Sequence, residues 1–500
     1  MVRRGGQRAA VAMLAVLTAV TACSTSSPSP STAASSEPSG AAPSGSVPAA
    51  DLEISQALRD AVEPDAIQAH LDELFAAAQA GDGTRASGTD GYTGSQAYVA
   101  ETLTDAGFEV TIDEFTFPYF NELSPPSVTV VGGPTFTGGD HLRALIFSRS
   151  GEFEAPIVAV AIDDDGMPIG SGGCDESDWD DFPVGSIALA GPAPCFRRQM
   201  VDAAQTAGAA ALIISSPNYA PGTVRRPTLL DPSGIEIPAL YASSEVGTAL
   251  REAAAAGGSV QLFVETLIQD RVTANVLAER PGTEPDEVVM LGGHLDSVID
   301  GPGINDNGSG TATILEIALQ LAEMDPTRRT IRVAFWAVEE LGLYGSYNWI
   351  QSQDPEDLQQ VVAYLNLDMV GSPNFVRQVY DSTSAVFDSH EITDAFGAYF
   401  DAVGLAWEPE DLGQGSDHAA FDDFGIPTGG LFSGASELKS DEQAELFGGV
   451  ADKSMDPCYH LSCDTPDQVS ATALDELSDA AAHVLMLLLE GELLVVLEES

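Results

Sequence analysis

In the second half of the chain, apolar runs alternate with helical spacings. Val288, Val289, Met290 and Leu291 form a continuous apolar stretch, and Gly292, Gly293, His294, Leu295 and Asp296 follow it. This predicts a buried parallel strand whose C-terminal end presents a histidine and an aspartate. Thr330 to Ala337 repeats the pattern before Glu339 and Glu340, and Val361 to Leu367 repeats it again before Asp368. Gly303 to Gly310 reads Gly-Ile-Asn-Asp-Asn-Gly-Ser-Gly, a cluster of turn formers with Asp306 inside it. After it, Ile314, Leu315, Ile317, Ala318 and Leu321 recur at helical spacing, so Asp306 is expected near a helix N-terminus. Ile426 to Phe432 reads as a further strand, and Thr472 to Leu489 as a closing helix with Asp475 and Asp479 one turn apart.

The first part of the chain carries weaker signals. Asp51 to Leu74 is helical in pattern, with Ile67, His70, Leu71 and Leu74 on one face, and the Gly83 to Thr89 segment breaks it. His70 is expected at the helix surface and not as a ligand. Tyr98 to Ala106 suggests a second helix, and Phe108 to Phe117 alternates like a strand. From about 126 to about 270 the pattern changes to short strands and many glycines without a candidate ligand cluster, which predicts an inserted domain.

Open α/β sheets gather their ligands at the C-terminal ends of strands. His294, Asp296, Glu339, Glu340 and Asp368 all fall at such ends. Any one of them alone is an ordinary solvated cap. Together they form a nitrogen and oxygen donor set suited to zinc, and carboxylates this close need a cation to offset their repulsion.

The order His-x-Asp, Asn-Asp-Asn-Gly-Ser-Gly, Glu-Glu-Leu-Gly, Asn-x-Asp-Met-x-Gly-Ser and a late Cys-Tyr-His resembles the secreted bacterial double-zinc aminopeptidases, the leucyl aminopeptidase type of zinc exopeptidase. The resemblance implies a three-layer α/β sandwich with a mixed central sheet. It also implies two zincs per chain, one on His294 and Asp368, the other on Glu340 and His460, with Asp306 bridging both and the 306–307 peptide cis. Asp296 would orient His294 through its second ring nitrogen. Glu339 would be the general base toward a zinc-bridging water, and Tyr459 would stabilise the oxyanion. Met369 and Phe432 would line the side-chain pocket, and hydrophobic, leucine-like N-terminal residues would be preferred. In such enzymes Ser416-Asp417-His418 is substrate-side scaffolding, so His418 stays outside the ligand set. Gly415 departs from the arginine of many relatives and leaves amine recognition open. Asp475 and Asp479 match a calcium-binding pair of close relatives. On this fold the rival activities are carboxypeptidase and glutaminyl cyclase; outside enzymes, the rival is a receptor-like binding protein that has lost its ligands.

The segment Gly185 to Leu189, Cys195-Phe196 and Ala203 to Ser216 resembles the protease-associated domain. By that resemblance the 126–270 insert is β-rich, caps the site without chemistry of its own, and pairs Cys174 with Cys195. Cys458 and Cys463 form a second candidate pair that would stiffen the His460 loop, and Cys23 stands alone. Even pairing fits an exported protein, although connectivity depends on geometry. The peptidase domain then comprises 51–125 and 271–500, enough for one large α/β unit.

Composition adds limits. The net charge is -56, from 76 acids against 20 bases, which argues against nucleic acid as a partner; peptides as the substrate class are what the aminopeptidase resemblance implies. The acids are scattered, as on a solvated surface; high-salt adaptation is the alternative. Asp163-Asp164-Asp165 and the 175–181 run read as solvated loops, with calcium binding the alternative. Residues 1–22 combine Arg3, Arg4 and Arg8 with a short apolar run, as in a signal peptide. Val20-Thr21-Ala22-Cys23 resembles a lipobox, so Cys23 is the expected lipidation site, and 23–50 is a Ser/Pro/Ala-rich tether. The expected location is the cell surface or the medium, with membrane contact only through the lipidated cysteine.

Overall fold

The computed structural model describes residues 52–217, 221–387 and 389–493. The expected signal peptide, Cys23 and tether lie outside the described residues. Among the described residues no helix is long and apolar enough to cross a membrane.

The sheet of the peptidase domain runs in the order Glu408–Asp411, Gln378–Asp381, Thr428–Phe432, Val361–Leu367, Glu284–His294, Arg329–Trp336 and Ser259–Arg280. Its centre is parallel. The His294 strand is flanked by the Arg329–Trp336 and Val361–Leu367 strands, both in parallel register, while Ser259–Arg280 runs antiparallel to Arg329–Trp336, and Gln378–Asp381 runs antiparallel to Thr428–Phe432 but parallel to Glu408–Asp411. The sheet is therefore mixed, as the resemblance implied.

Strand alternation sorts the apolar residues into two cores. Val289, Leu291, Val333 and Phe335 face one side and pack with Leu71, Leu103, Ile314, Phe396 and Leu485. These come from the helices Pro64–Ala80, Asp90–Asp105, Gly310–Glu323, His390–Val403 and Ala471–Leu489. Met290, Trp336 and Tyr364 face the other side, against Trp349 and Phe421 of the helices Tyr344–Ser352 and His418–Asp423. Tyr364 and Phe421 stack face to face with centroids 3.7 Å apart. Two apolar faces covered by helices make three layers.

The N-terminal region differs from its expectation in two respects. The predicted first helix is two, Glu53–Arg59 and Pro64–Ala80, with proline at the start of the second. His70 is buried, not on the surface: its ring bonds Tyr98 Oη at 2.6 Å and Glu316 Oε2 at 3.2 Å. A half-polar helix face reads as exposed when its polar partners lie elsewhere in the chain.

The insert has a core of its own, built on the strands Gly151–Ala159, Ile187–Ala190, Ala211–Ser215 and Ala239–Ala242 and the helices Arg197–Thr206 and Ser244–Ala255. Successive strands among these four are parallel. Two 22-residue strands, Glu109–Val130 and Ser259–Arg280, pair antiparallel and run unbroken through positions 126 and 270, so the insert grows out of the peptidase sheet as a continuous ribbon. Cys174 and Cys195 are bonded, as are Cys458 and Cys463. Asp163 and Asp178 spend their carboxylates on backbone N–H groups of their own loops.

Candidate metal centre and substrate cleft

Three parallel strand ends and two loops bring the acidic and imidazole groups together. His294 ends its strand, Glu339 and Glu340 follow Arg329–Trp336, Asp368 follows Val361–Leu367, Asp306 sits in the turn Ile304–Ser309, and His460 is carried by the Cys458–Cys463 loop. The 306–307 peptide is cis.

One carboxylate joins the two histidines. Asp306 Oδ1 lies 3.3 Å from His294 Nε2, and Oδ2 lies 3.0 Å from His460 Nε2. Asp368 Oδ1 is 3.3 Å from His294 Nε2, and Glu340 Oε2 is 3.1 Å from His460 Nε2. Glu339 Oε2 stands farther from His294, at 3.9 Å. The other ring nitrogen, His294 Nδ1, has the Asp296 backbone carbonyl at 3.1 Å and the Asp296 carboxylate at 3.7 Å. That carboxylate also accepts the Glu339 N–H.

These separations suit a metal ion. Donors 2.0–2.1 Å from a tetrahedral zinc stand about 3.3 Å from one another. One donor atom from each of His294, Asp306 and Glu340 falls within 4.8 Å of the others. Glu340 Oε1 is buried without a hydrogen-bond partner among the described residues, a cost that a cation would remove. The electrostatics agree. Burial alone would lower His460, but Glu340 and Asp306 push it up to about 10. His294 is likewise raised against its burial by Asp368 and Glu339. Burial would raise Asp306, and the two imidazoles override it, holding it below the usual carboxylate range. The cluster thus draws positive charge into itself, and metal binding displaces such protons. The residues fit zinc.

A second set of residues holds this cluster and was not foreseen from the sequence. Arg85, fully buried, donates to the carbonyls of Leu295, Pro302 and Gly303, stitching together the loop after the His294 strand. Thr84 Oγ1 donates to the Val298 carbonyl, and Ser87 Oγ accepts the Val338 N–H before Glu339. Asp464 accepts the N–H groups of Asn305 and Asp306, and Asp456 accepts from the Asn305 side chain. Asn307 reaches the Leu367 carbonyl and takes the N–H groups of Gly310 and Met369. The segment 83–89 offers only loop chemistry to a sequence reader. Asn305 and Asn307 had a signal, since they flank Asp306 in a turn.

The cluster opens into a cavity of about 700 Å³. Met369, Tyr380, Leu412 and Phe432 line it, and Phe196 and Leu230 reach it from the insert. Phe196 is 68% exposed despite its size. Tyr459 lines the same space and stacks on His460 at 3.8 Å. His418 also borders it; its Nε2 bonds the Leu412 carbonyl at 2.6 Å, its Nδ1 is buried without a hydrogen-bond partner among the described residues, and burial lowers its proton affinity. Asp475 and Asp479 lie apart, on the Ala471–Leu489 helix. Burial pushes Asp479 up to about 6 despite the nearby Arg59 guanidinium.

Residues 275–485 match Peptidase family M28, and residues 153–250 match the PA domain. A Pseudomonas aeruginosa protein named "Aminopeptidase" is 37% identical over 424 residues, which span 83% of this chain and 78% of that one. From Mycobacterium tuberculosis, the "Probable lipoprotein aminopeptidase LpqL" is 39% identical over 439 residues, 84% of each chain. In fold, the chain is similar to the solved aminopeptidase from Aneurinibacillus sp. strain AM-1, with a TM-score of 0.71 and 21% identity over 89% of this chain and 98% of that one. The chain belongs to peptidase family M28, as a zinc aminopeptidase of bacterial type with a PA domain inserted in it.

Proposed function

We propose that this enzyme is an exported, lipid-anchored aminopeptidase that removes hydrophobic, leucine-like N-terminal residues from peptides with a pair of zinc ions. The observation that carries the two-metal reading is Asp306, whose carboxylate turns one oxygen to His294 and the other to His460. In this reading His294 and Asp368 would hold one ion, Glu340 and His460 would hold the other, and Asp306 would contribute to both. Zinc bound there supplies Lewis acidity, which polarises a peptide carbonyl and lowers the pKa of water toward neutrality.

The chain's own groups do the rest. Glu339 stands off from the imidazoles and is left to take a proton from the attacking water and return it to the leaving amine. Burial, Glu340 and Asp368 raise its proton affinity, with His294 opposing them. Asp296 keeps His294 oriented through its backbone carbonyl, and its carboxylate fixes the Glu339 backbone. Tyr459 donates its hydroxyl to the developing oxyanion. The carboxylates around the metals receive the substrate's free α-amine, and Met369 and Phe432 give the side-chain pocket its apolar walls.

Lipid anchoring at Cys23 rests on the lipobox-like sequence and agrees with the name of the mycobacterial relative. The 126–270 insert is read as a separate module on the peptidase. Calcium at Asp475 and Asp479 would share its site with Arg59. Glu339→Ala tests the mechanism: it should retain zinc, measured by metal analysis, and lose at least about 100-fold in kcat. Full turnover would remove Glu339 from the reaction.

A further inference from the structure

Two adjacent arginines of the insert face the peptidase domain, and their surroundings use them differently. Arg226 is buried and fully engaged: Nε and Nη2 donate to the two carboxylate oxygens of Asp300 at 2.9 and 3.2 Å, and Nη1 donates to Glu122 Oε2 at 3.1 Å. Asp300 belongs to the loop after the His294 strand, so this forked contact pins the insert backbone beside the metal cluster. Arg225 makes no such forked contact, although its charge acts on the Asp456 carboxylate. Its Nε is buried without a hydrogen-bond partner among the described residues, and its guanidinium carbon lies 5.0 Å from the centroid of the Tyr459 ring. That ring in turn stacks on His460, with planes 26° apart.

We propose that Arg225 is a positioning residue for hydrolysis: its guanidinium, held in place by the Arg226 clamp, fixes the Tyr459 ring against His460 and strengthens the phenol O–H as a donor. A cation over a ring face is attracted by the ring's quadrupole, and the attraction grows where water is excluded. The Tyr459 loop is closed by the Cys458–Cys463 bond and tied at its base by the Cys458 N–H donating to Asp456, and the Arg225 cation adds a contact on the Tyr459 ring itself. The insert would then be more than a cover, because one of its side chains reaches within a single residue of the reacting centre. The inference rests on Tyr459 as the oxyanion donor, and the test separates the two.

The test compares Arg225→Ala, Arg225→Lys, Tyr459→Phe and the Arg225→Ala/Tyr459→Phe pair in the zinc-loaded full chain. The substrates are leucyl-p-nitroanilide and leucyl-glycine. Arg225→Ala should lower kcat about tenfold on both substrates with KM changed less than about twofold, and Arg225→Lys should recover most of the loss. In the Tyr459→Phe background, Arg225→Ala should add nothing. By calorimetry, affinity for the aminophosphonate analogue of leucine should fall by the same factor, with zinc content and Tm unchanged. Should Arg225→Ala fail to fold, Arg225→Met keeps the stem and serves in its place. Three results would overturn the proposal: full kcat in Arg225→Ala beside an impaired Tyr459→Phe, losses that multiply in the pair, or a rise in KM confined to leucyl-glycine, which would make Arg225 a contact for the substrate carboxylate. Full kcat in Tyr459→Phe itself would sink the reading of Tyr459 and this inference with it.

Discussion

At Gly293 the cluster leaves no room for a methyl group. A Cβ there would stand 2.4 Å from the Leu367 carbonyl oxygen and 2.9 Å from Asn307 Nδ2. The His294 strand, the Asp306 turn and the approach to Asp368 are pressed together at that point, and the ligand set inherits its spacing from this contact. His294, Glu339, Glu340 and Asp368 stood out in the sequence because they end apolar runs, whereas His460 and the assignment of ligand roles came only from the resemblance. Arg85 was not readable, because its partners are three carbonyls, which carry no residue identity. It nonetheless holds the loop between His294 and Asp306. Arg85→Met should cost about 3 kcal/mol in urea unfolding, since three buried acceptors lose their donor, and should also weaken zinc retention against a chelator. A loss of a few tenths of a kcal/mol with zinc held normally would show that the loop supports itself.

Among the elements, the central strands and the helix after Asp306 were legible from periodicity: Val361–Leu367 matches its expected ends and Arg329–Trp336 lies one residue from them, while the His294 strand starts earlier, at Glu284 and not Val288. The ribbon of Glu109–Val130 and Ser259–Arg280 was not. Pro118, Pro125 and Pro126 interrupt the first strand, and proline ordinarily demotes a run to an edge or a loop. The stretch therefore reads as a short strand followed by a boundary, although the strand continues into the insert past two register shifts between Glu122 and Ser127. Where the insert meets the peptidase domain, burial alone would raise the Asp300 carboxyl, but Arg226 overrides it, with Arg143 behind at 3.4 Å, and holds it below the usual range. A depressed folded pKa contributes stability above the unfolded value of about 3.9, and that contribution is lost as pH falls through the folded value. Asp300→Asn should therefore be less stable than the parent by about 3 kcal/mol at pH 7, and the gap should close below about pH 4. A gap that stays constant from pH 7 to 3 would mean that the pair adds nothing through its charge.

Over the whole molecule, 76 acids and 20 bases leave a surface that repels itself, while the few cations are drawn into structure. Lys439, one of two lysines, is buried and donates to the carbonyls of Phe375 and Gly448. Screening should relieve the repulsion, because the Debye length shrinks from about 30 Å at 0.01 M salt to about 3 Å at 1 M. Thermal unfolding should thus shift upward by several degrees across that range; a flat response would show that the acids are too dispersed to strain the fold. Charge and composition could not reveal that the insert reaches the cleft through Phe196 and Leu230 and lays Arg225 over the Tyr459 ring, because these contacts exist only between distant parts of the chain.

The measurement that bears most directly on the account is leucine release from leucyl-p-nitroanilide and from a short leucine-initiated peptide with a free or acetylated N-terminus, with and without chelator. An aminopeptidase that receives the free amine at its zinc site releases leucine from the anilide and the free peptide, leaves the acetylated peptide intact, and stops when the metal is removed. Equal cleavage of the acetylated peptide, or release that persists through complete chelation, would contradict it.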